Sequence, residues 1–439
     1  MRSLKFLLFI FILFPLRAQA DFVVTNWNEA VQLVDDGKKS VITIAGQVRN
    51  LPKDQAMTAF SISFDSKEEI SIANVSFEGK PAKYDFAENV LKITFPQPKI
   101  SGQMISFGFS AKEKRIAINP NFRQEAIYVP NFAVGAEALI TVDFPGYELI
   151  SYNPKAVNNG NVITYSAVVP KEGISEIIKF TQLSATWNVA VKTTVSSEKS
   201  LGEFMLKMPL YFQASRQKVE GYMKEFSTRP VVTDRKGDDT SYTFKVPTNK
   251  LEIKSLARIS TGPAQRRQVM RNMINYSKVS REEAVLLTPI LQKIRGDSAY
   301  AGLPIYVAIG KFVNKFLTYD LAYVGKLPSL EVIVTNRLGV CTEYARLYDG
   351  LARLAGIPSF VIDGAACDEK EKCQGHSWNM IFYGGRWIEV DPTWNLMSGA
   401  VSSSHVYIND DGQGEVEIKY RSDAGKVNIE MGMDMSRTE

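Results

Sequence analysis

The sequence predicts a multidomain protein in which N-terminal all-β modules are followed by an α+β domain. Three observations predict this fold class. From Asp21 to about Gly262, short segments alternate apolar and polar residues between turn-forming clusters. From Pro263 to Gly356, apolar residues recur at intervals of three and four, which is typical of helices. After Pro358 the alternation returns, and it continues in segments to the end of the chain.

The first twenty residues, MRSLKFLLFIFILFPLRAQA, have the order of a secretory signal peptide. Basic residues come first, an apolar run from Phe6 to Leu16 follows, and an Ala-Gln-Ala site completes the pattern. The run is short for a transmembrane helix, so an uncleaved anchor is the less favoured alternative. We expect cleavage after Ala20, a secreted or periplasmic protein, and no stable membrane insertion of the mature chain.

The charge of the chain argues against nucleic acid as a partner. The formal net charge is +5, and the first twenty residues hold three basic residues and no acidic one, which leaves +2 after cleavage. A nearly balanced charge provides no strong electrostatic attraction for a polyanion such as nucleic acid.

The strand-rich part predicts antiparallel, β-sandwich-like modules. Its alternating segments include KSVITIAGQVRN, ALITVDF, WNVAVKTTV and TSYTFKV, separated by breaks such as NNGN. We place a β-sandwich-like domain at 21–185 and a second β-rich module at 186–262. A catalytic domain is expected at 263–400, and 401–439 is expected to add C-terminal strands that pack on it.

The helical part contains two predicted helices, PAQRRQVMRNMINYSKVS and REEAVLLTPILQKIRG, followed by a third with a clear apolar stripe. We expect this stripe to pack beneath a fourth helix, which Cys341 begins. The stripe consists of Ile305, Ile309, Phe312, Val313 and Phe316.

Cys341 lies in LGVCTEYARLYDGLARLAGIP, between a turn and a strongly periodic helix. Gly356 is positioned to end that helix, and Pro358 to stop it. The helix N-terminus favours the thiolate, so Cys341 is a candidate nucleophile. A buried structural cysteine is the alternative.

The other two cysteines, Cys367 and Cys373, are six positions apart and can pair in an oxidising compartment. That pairing leaves Cys341 as the odd, reactive thiol. A zinc site made of Cys367, Cys373 and His376 competes with the disulfide, but its spacing matches no common zinc pattern. We therefore expect no metal and no cofactor.

A hairpin brings a histidine and an acid together. If Gly384–Gly385 is its loop, Tyr383 pairs with Arg386 and each further pair has residue numbers summing to 769. His376 and Asp391 then lie on one face as diagonal neighbours, within reach of each other. His405 is the only other histidine, and its SSSHVYI setting indicates a strand start.

Cys341, His376 and Asp391 are the parts of covalent acyl transfer: a thiol nucleophile, a base that activates it, and an acid that orients the base. These motifs, GVCTEYARLYDGLARLAGIP and GHSWNMIFYGGRWIEVDPTW, closely resemble the transglutaminase-like superfamily. The resemblance spans roughly 302–395. It implies a papain-like core with the triad in the order Cys, His, Asp.

The resemblance implies a cysteine enzyme acting on protein or peptide amides but leaves the acyl acceptor open. An amine gives a transglutaminase, and water gives a peptidase or amidase. Trp378, Trp387 and Trp394 cluster around the predicted site in the sequence and could exclude water, although packing of the hairpin explains them equally well. A third possibility is a binding or assembly protein that keeps the fold, with β-modules that hold a protein or envelope partner.

Overall fold

The computed structural model describes residues 21–49, 53, 55–64, 69–115, 118–119, 121–152, 156–209, 216–236, 239–262, 275–410, 417–420 and 425–438. The predicted signal peptide and most of the first predicted helix, 263–274, lie outside these residues.

The described chain forms two compact units. The first runs up to Glu148 and includes Tyr152–Lys179, and the second comprises Leu149–Ser151 and everything from Phe180 onward. The boundaries that we expected at 185, 262 and 400 stay predictions.

The N-terminal part is built from strands, as predicted. The strands are β1 (Asp21–Val34), β2 (Gly37–Arg49), β3 (Met57–Ser63), β4 (Glu69–Phe77), β5 (Lys80–Pro81), β6 (Lys83–Ala87), β7 (Val90–Lys99), β8 (Met104–Lys114), β9 (Arg123–Val129), β10 (Glu137–Asp143), β11 (Tyr147–Ser151), β12 (Val157–Asn159), β13 (Val162–Val168) and β14 (Ile174–Gln182).

The first unit contains an eight-stranded sheet, ordered β12-β13-β10-β1-β2-β8-β4-β5, and a smaller sheet, β3-β7-β6. One pairing differs from the antiparallel arrangement that we predicted, because β1 and β10 run parallel, with Trp27 opposite Ala138. Alternation of apolar residues identifies a strand, but it does not choose the neighbour or its direction.

The second unit begins with a further group of strands. They are β15 (Ala185–Ser197), β16 (Gly202–Pro209), β17 (Gln217–Phe226), β18 (Val232–Lys236), β19 (Asp239–Val246) and β20 (Lys250–Thr261). They form two sheets, β17-β20-β15-β28 and β18-β19-β16-β27, which include C-terminal strands β27 (Glu417–Tyr420) and β28 (Val427–Thr438). Their hydrophobic core also takes in Ala365, Cys367, Val406 and Ile408.

Four α-helices follow in the described chain: α1 (Arg281–Gly296), α2 (Ile305–Phe316), α3 (Leu330–Asn336) and α4 (Cys341–Leu354). The second and third predicted helices are confirmed as α1 and α2. Ser280 and Glu283 form a capping box at the start of α1. On α2, Ile309, Phe312 and Val313 of the predicted stripe share a core with Leu347 and Leu351 of α4, as predicted.

The end of α4 has the geometry that its sequence predicts. Gly356 has a φ of 83°, which suits glycine because it has no Cβ to clash. The N–H of Gly356 donates to the carbonyl of Arg353, and the N–H of Ile357 donates to that of Ala352. These two bonds define a Schellman motif, which ends the helix at Leu354, four residues before Pro358.

The predicted hairpin belongs to a four-stranded sheet, ordered β25-β24-β23-β26. Its strands are β23 (Ser359–Cys367), β24 (Cys373–Tyr383), β25 (Arg386–Val390) and β26 (Val406–Asp410), and a short parallel pair, β21 (Thr318–Tyr319) and β22 (Leu338–Gly339), precedes α4. The Asn379 side chain donates to the Ala345 carbonyl at 3.0 Å, which fastens β24 to α4. The α+β domain is therefore confirmed, and no helix in the described ranges could span a membrane.

Candidate active site

Cys341 is the first residue of α4. The Glu343 carboxylate accepts a hydrogen bond from the N–H of Val340 at 2.8 Å, which caps the helix start. A side chain at Gly339 would place its Cβ 2.4 Å from that of Glu343, so glycine gives Glu343 room to fold back. The thiol of Cys341 therefore lies at the positive end of the helix dipole, as predicted. Cys341 is only 8% exposed.

The Cys341 thiol ionises more readily than an ordinary cysteine. Burial by itself raises its pKa. A hydrogen bond and the positive charge of His376, together with the backbone N–H of Ser377, oppose burial and hold the pKa below its usual value of 9.0. The surroundings of Cys341 therefore favour the thiolate, which is the nucleophilic form.

The hairpin that carries His376 has the predicted register. Tyr383 pairs with Arg386, and the pairing continues outward to Asn379 and Val390. Gly384–Gly385 adopts φ values of 58° and 79°, the left-handed values that a two-residue type I′ turn requires. Counting from the glycine pair therefore located this hairpin correctly.

The two pairs predicted beyond Val390, His376 with Thr393 and Trp378 with Asp391, do not form. Instead Asp391 makes an isolated bridge with Leu396. Asp391 Oδ1 accepts hydrogen bonds from the backbone N–H groups of Thr393 at 2.8 Å and Trp394 at 3.2 Å. This turn, which begins with Pro392 and its missing N–H, carries the chain away from β24.

His376 and Asp391 nevertheless meet, because the turn leaves the other carboxylate oxygen facing β24. His376 Nε2 lies 2.8 Å from Asp391 Oδ2. A carboxylate can only accept, so Nε2 carries the proton and Nδ1 faces the Cys341 thiol. Burial lowers the His376 pKa, but the charge of Asp391 and hydrogen bonds to Asp391 and Cys341 raise it to about 10.

Asp391 is fully buried and accepts four hydrogen bonds in all. Burial raises the pKa of its carboxyl, but the charge of His376 and hydrogen bonds from His376 and His405 hold the pKa well below its usual range. Four bonds fill the lone-pair sites of a carboxylate. The acid is therefore ionised and fixed in orientation.

Two of the three tryptophans in the predicted cluster contact the His376 ring. Trp394 stacks on it with centroids 4.3 Å apart, and Trp378 lies parallel to it at 6.2 Å. Trp387 does not belong to this group, because its ring packs against Tyr276 and Phe360. Trp387 lies opposite Phe382 and so on the same face of the hairpin as His376, but Phe382 is six residues farther along β24, so sequence proximity alone was misleading.

Sequence reasoning missed two residues near the predicted triad. His405 directly precedes β26, as its motif indicated, yet its Nε2 lies 3.2 Å from Asp391 Oδ2. Tyr319 pairs with Gly339 across β21 and β22. Burial, followed by the charges of Cys341 and nearby acids, raises the Tyr319 pKa to about 12, so its hydroxyl stays a donor. Both placements depend on long-range strand pairing, which local patterns do not report.

The zinc alternative is wrong, because Cys367 and Cys373 form the predicted disulfide. They pair directly opposite each other on β23 and β24, and Cys341 stays a free thiol. Among the described residues, His376, Asp391 and His405 offer ligand atoms within 4.8 Å of one another. Asp391 Oδ2 lies 2.8 Å from His376 Nε2 and 3.2 Å from His405 Nε2, and these are hydrogen-bond lengths. One N–H donated by each imidazole accounts for them.

Comparisons with known proteins agree with the resemblance seen in the sequence. The family model described as "Transglutaminase-like superfamily" matches residues 293–392, which include Cys341, His376 and Asp391. No curated protein matches the chain.

Solved structures give weaker likenesses. A "Putative Cysteine Protease" from Cytophaga hutchinsonii is 15% identical, with 58% of this chain and 91% of that chain covered and a TM-score of 0.44. The periplasmic domain of TgpA from Pseudomonas aeruginosa, with ethylmercury bound, is 17% identical, with 46% and 90% covered and a TM-score of 0.26. With TM-scores below 0.5, neither likeness assigns an activity to this chain.

The family match and the paired thiol and imidazole together support a cysteine-type enzyme in general. The stretch 293–392 is similar to the transglutaminase-like superfamily, the family that the motifs around Cys341, His376 and Asp391 resemble.

Proposed function

We propose that this protein is an exported cysteine-dependent acyl-transfer enzyme that acts on protein or peptide amides. One observation carries the proposal. The buried imidazole of His376 is hydrogen-bonded to Asp391 through Nε2 and presents Nδ1 to the Cys341 thiol, whose pKa is lowered. Cys341 is the nucleophile, His376 the acid and base, and Asp391 the group that orients His376.

In the first step the Cys341 thiolate attacks the amide carbonyl carbon, and a carbon–sulfur bond forms as the oxygen becomes an oxyanion. The oxyanion then collapses, the carbon–nitrogen bond breaks, and His376 Nδ1 gives its proton to the departing amine. The product is a thioester on Cys341. Asp391, whose carboxylate stays ionised, stabilises the imidazolium until that proton is given up and then holds the neutral ring through Nε2.

Two donors are proposed for the oxyanion. The backbone N–H of Cys341 stands at the first turn of α4, where no preceding turn supplies an acceptor. The Tyr319 hydroxyl is the second, since its raised pKa keeps it protonated and the charge of Cys341 acts on it. Tyr319→Phe should therefore lower kcat by about 100-fold, the scale for one such donor.

In the second step an acceptor attacks the thioester, its proton passes to His376, and the thiolate of Cys341 leaves. An amine acceptor gives transamidation or cross-linking. Water gives hydrolysis, the function of a cysteine peptidase or amidase. The chemistry at Cys341 and His376 is the same in both cases, so the acceptor has to be measured.

A polypeptide substrate is favoured by an apolar surface next to Tyr319. Leu321, Val324 and Leu327, which follow β21, are 72%, 65% and 79% exposed. Grouped exposed apolar side chains mark surfaces that bind other molecules. We propose that they contact side chains of the substrate, and that the β-rich modules bind a protein or envelope partner.

Export is supported by the Cys367–Cys373 disulfide, since such bonds persist in oxidising compartments. The cleavable signal and processing after Ala20 belong to the same proposal. N-terminal sequencing of the secreted protein tests them, and a mature chain that does not begin at Asp21 would contradict the cleavage site.

The decisive experiment incubates the enzyme with a protein mixture and a tagged primary amine, followed by mass spectrometry. Tagged amine on glutamine side chains identifies a transglutaminase, and new peptide termini without the tag identify a hydrolase. The matched control is Cys341→Ala, which should show neither product and no labelling by an iodoacetamide probe. Wild-type protein that gives no product and no labelling would leave the third possibility, a binding or assembly protein.

A further inference from the structure

A continuous chain of buried hydrogen bonds leads from the end of β23 to the carboxylate of Asp391. Ser404 Oγ accepts from the N–H of Cys367 at 3.1 Å and lies 2.7 Å from Ser402 Oγ. Ser402 Oγ lies 2.8 Å from His405 Nδ1, and His405 Nε2 lies 3.2 Å from Asp391 Oδ2. The triad alone does not require these groups.

The direction of the protons in this chain follows from the acid at its end. Asp391 is ionised and can only accept, so His405 Nε2 donates to it. A neutral His405 then has a bare Nδ1, which accepts a hydrogen bond from the Ser402 hydroxyl. The single hydroxyl proton of Ser404 is shared between Ser402 Oγ and the Cys367 carbonyl oxygen, at 2.7 and 3.2 Å. Ser402 and Ser404 are 2% and 0% exposed, so solvent does not compete for these bonds.

We propose that His405 is a positioning residue: a neutral imidazole that donates to Asp391 and thereby holds the carboxylate in the orientation that serves His376. This inference rests on the proposed function. The same Asp391 oxygen, Oδ2, accepts from both imidazoles, so losing His405 frees one lone pair and lets the carboxylate turn. The backbone bond from His405 N–H to the Ser402 carbonyl fixes the local turn.

The charges around His405 favour its neutral form. It faces Asp391, His376 and Arg216, and Arg216 is itself paired with Glu389 at 3.4 Å. Burial lowers the His405 pKa most, the Asp391 contacts raise it, and the charges of His376 and Arg216 lower it, to about 4 overall. A protonated His405 would compete with the His376 imidazolium for one carboxylate oxygen, so neutrality is what its role requires.

Neighbouring rings also restrict how His405 can turn. Trp378 and Trp394 meet its ring edge to face, at centroid distances of 5.0 and 5.2 Å. The same two indoles lie parallel to the His376 ring. The two imidazoles are thus held in a fixed relation, with Asp391 between them.

The test compares His405→Gln, whose side-chain N–H can still donate to Asp391, with His405→Leu, which has no donor. Ser255→Ala, a buried hydroxyl on β20 away from the site, is the control for loss of a buried polar group. Thermal unfolding shows whether each variant folds. The readouts are kcat, KM and the pH dependence of iodoacetamide alkylation at Cys341.

In His405→Leu the alkylation midpoint should move up toward 9.0, the ordinary value for a cysteine thiol, and kcat should fall about 10- to 100-fold with little change in KM. His405→Gln should keep kcat and the alkylation midpoint close to the wild-type values, because its side-chain N–H can still donate to Asp391. If only packing were lost, the two variants would be affected equally. An alkylation profile in His405→Leu identical to that of the wild type would overturn the proposal, as would equal losses in the two variants.

Nitrogen-15 spectra of histidine-labelled protein provide a test that does not need activity. The chain has two histidines, so a sample without a polyhistidine tag gives signals from two rings. We expect one neutral ring protonated at Nε2, His405, and one imidazolium, His376. A His405 ring that is charged or protonated at Nδ1 at neutral pH would overturn the proposal. Wild-type protein that resists alkylation would instead count against the proposed function, and the spectra would still decide the state of His405.

Discussion

The indole of Trp394 stacks on the imidazole of His376, with ring centroids 4.3 Å apart and planes 18° from parallel. The same residue donates its backbone N–H to Asp391 at 3.2 Å, so one residue both covers the His376 imidazole and helps to fix the Asp391 carboxylate. The His376 side chain is 1% exposed as a result of such packing. An aromatic face also stabilises a cation, and His376 is an imidazolium at neutral pH, because its pKa is raised to about 10.

Trp394→Ala should lower turnover, because the imidazolium loses its aromatic face and gains water. A cation–aromatic contact of about 1–2 kcal/mol corresponds to a loss of roughly 5- to 30-fold. Trp394→Phe should keep more activity. The measurement is the pH dependence of kcat/KM for each variant.

The matched control for this prediction is Trp387→Ala, whose indole packs on Phe360 and Tyr276 instead of His376. It should lower the melting temperature and leave the pH profile unchanged. Wild-type turnover in Trp394→Ala would show that the stacked ring has no role in catalysis.

Asp391→Asn should reduce turnover by about four orders of magnitude, the cost of a comparable change in a serine protease. The amide has one accepting oxygen where the carboxylate has two, yet four N–H donors point at it. His376 would then favour the tautomer protonated at Nδ1, which removes the acceptor that faces Cys341. Asp297→Asn, at a half-buried cap residue away from the site, is the control. Retention of more than about a tenth of wild-type turnover would rule out the orienting role.

The stability of the protein should depend on His405 between pH 4 and 6.5. Its folded pKa is lowered to about 4 from an ordinary 6.5, so the unfolded chain binds a proton in this window that the folded protein does not. Stability from the neutral ring is therefore fully present above pH 6.5 and is lost as the pH falls to about 4. The loss is on the order of 3 kcal/mol.

Urea unfolding of the wild type and His405→Gln across this range measures the effect, because glutamine does not titrate. His376 does not disturb the comparison: its folded pKa is raised, so its contribution is fully present below 6.5 and is lost only as the pH rises through about 10. Parallel curves for the two proteins would mean that His405 is not held neutral by the fold.

Replacing both Cys367 and Cys373 with serine should lower turnover more than it lowers the melting temperature. Closing so short a ring contributes no more than about 2–3 kcal/mol. The bond nevertheless fixes the strand ends that lead to His376 and that hold Ser404, and catalysis responds to displacements of about 1 Å. Intact-mass analysis gives the direct check: three free thiols in the native protein would disprove the bond.

Local patterns predicted much of the candidate site. Helix periodicity placed Cys341 at a helix start, and counting from Gly384–Gly385 gave the hairpin register, because both depend on short-range geometry. The same counting was wrong beyond Val390, where hydrogen bonds from a turn to Asp391 replace strand pairing. Strand pairing ends where a side chain accepts hydrogen bonds from the backbone N–H groups that follow it in the chain. The Asp391-Pro392 pair is a sequence signal for such a turn.

The missed residues reach the site through partners distant in sequence. His405 is positioned because β26 pairs with β23, with Val406 opposite Ala365. Tyr319 is positioned because β21 runs parallel to β22. The parallel pairing of β1 with β10 escaped prediction for the same reason. Alternation fixes which face of a strand is buried, whereas the choice of neighbour depends on the whole fold.

The direct opposition of Cys367 and Cys373 across β23 and β24 also bears on the order of events during folding. A hairpin forms in roughly 1–10 μs, since its contacts are local and little loop entropy opposes them. Docking of α4 against the sheet joins more distant segments and is slower. When the oxidant of the compartment acts, folding in this order favours the Cys367–Cys373 disulfide over mispairing with Cys341, so Cys341 is left reduced without an isomerase having to reshuffle the bond.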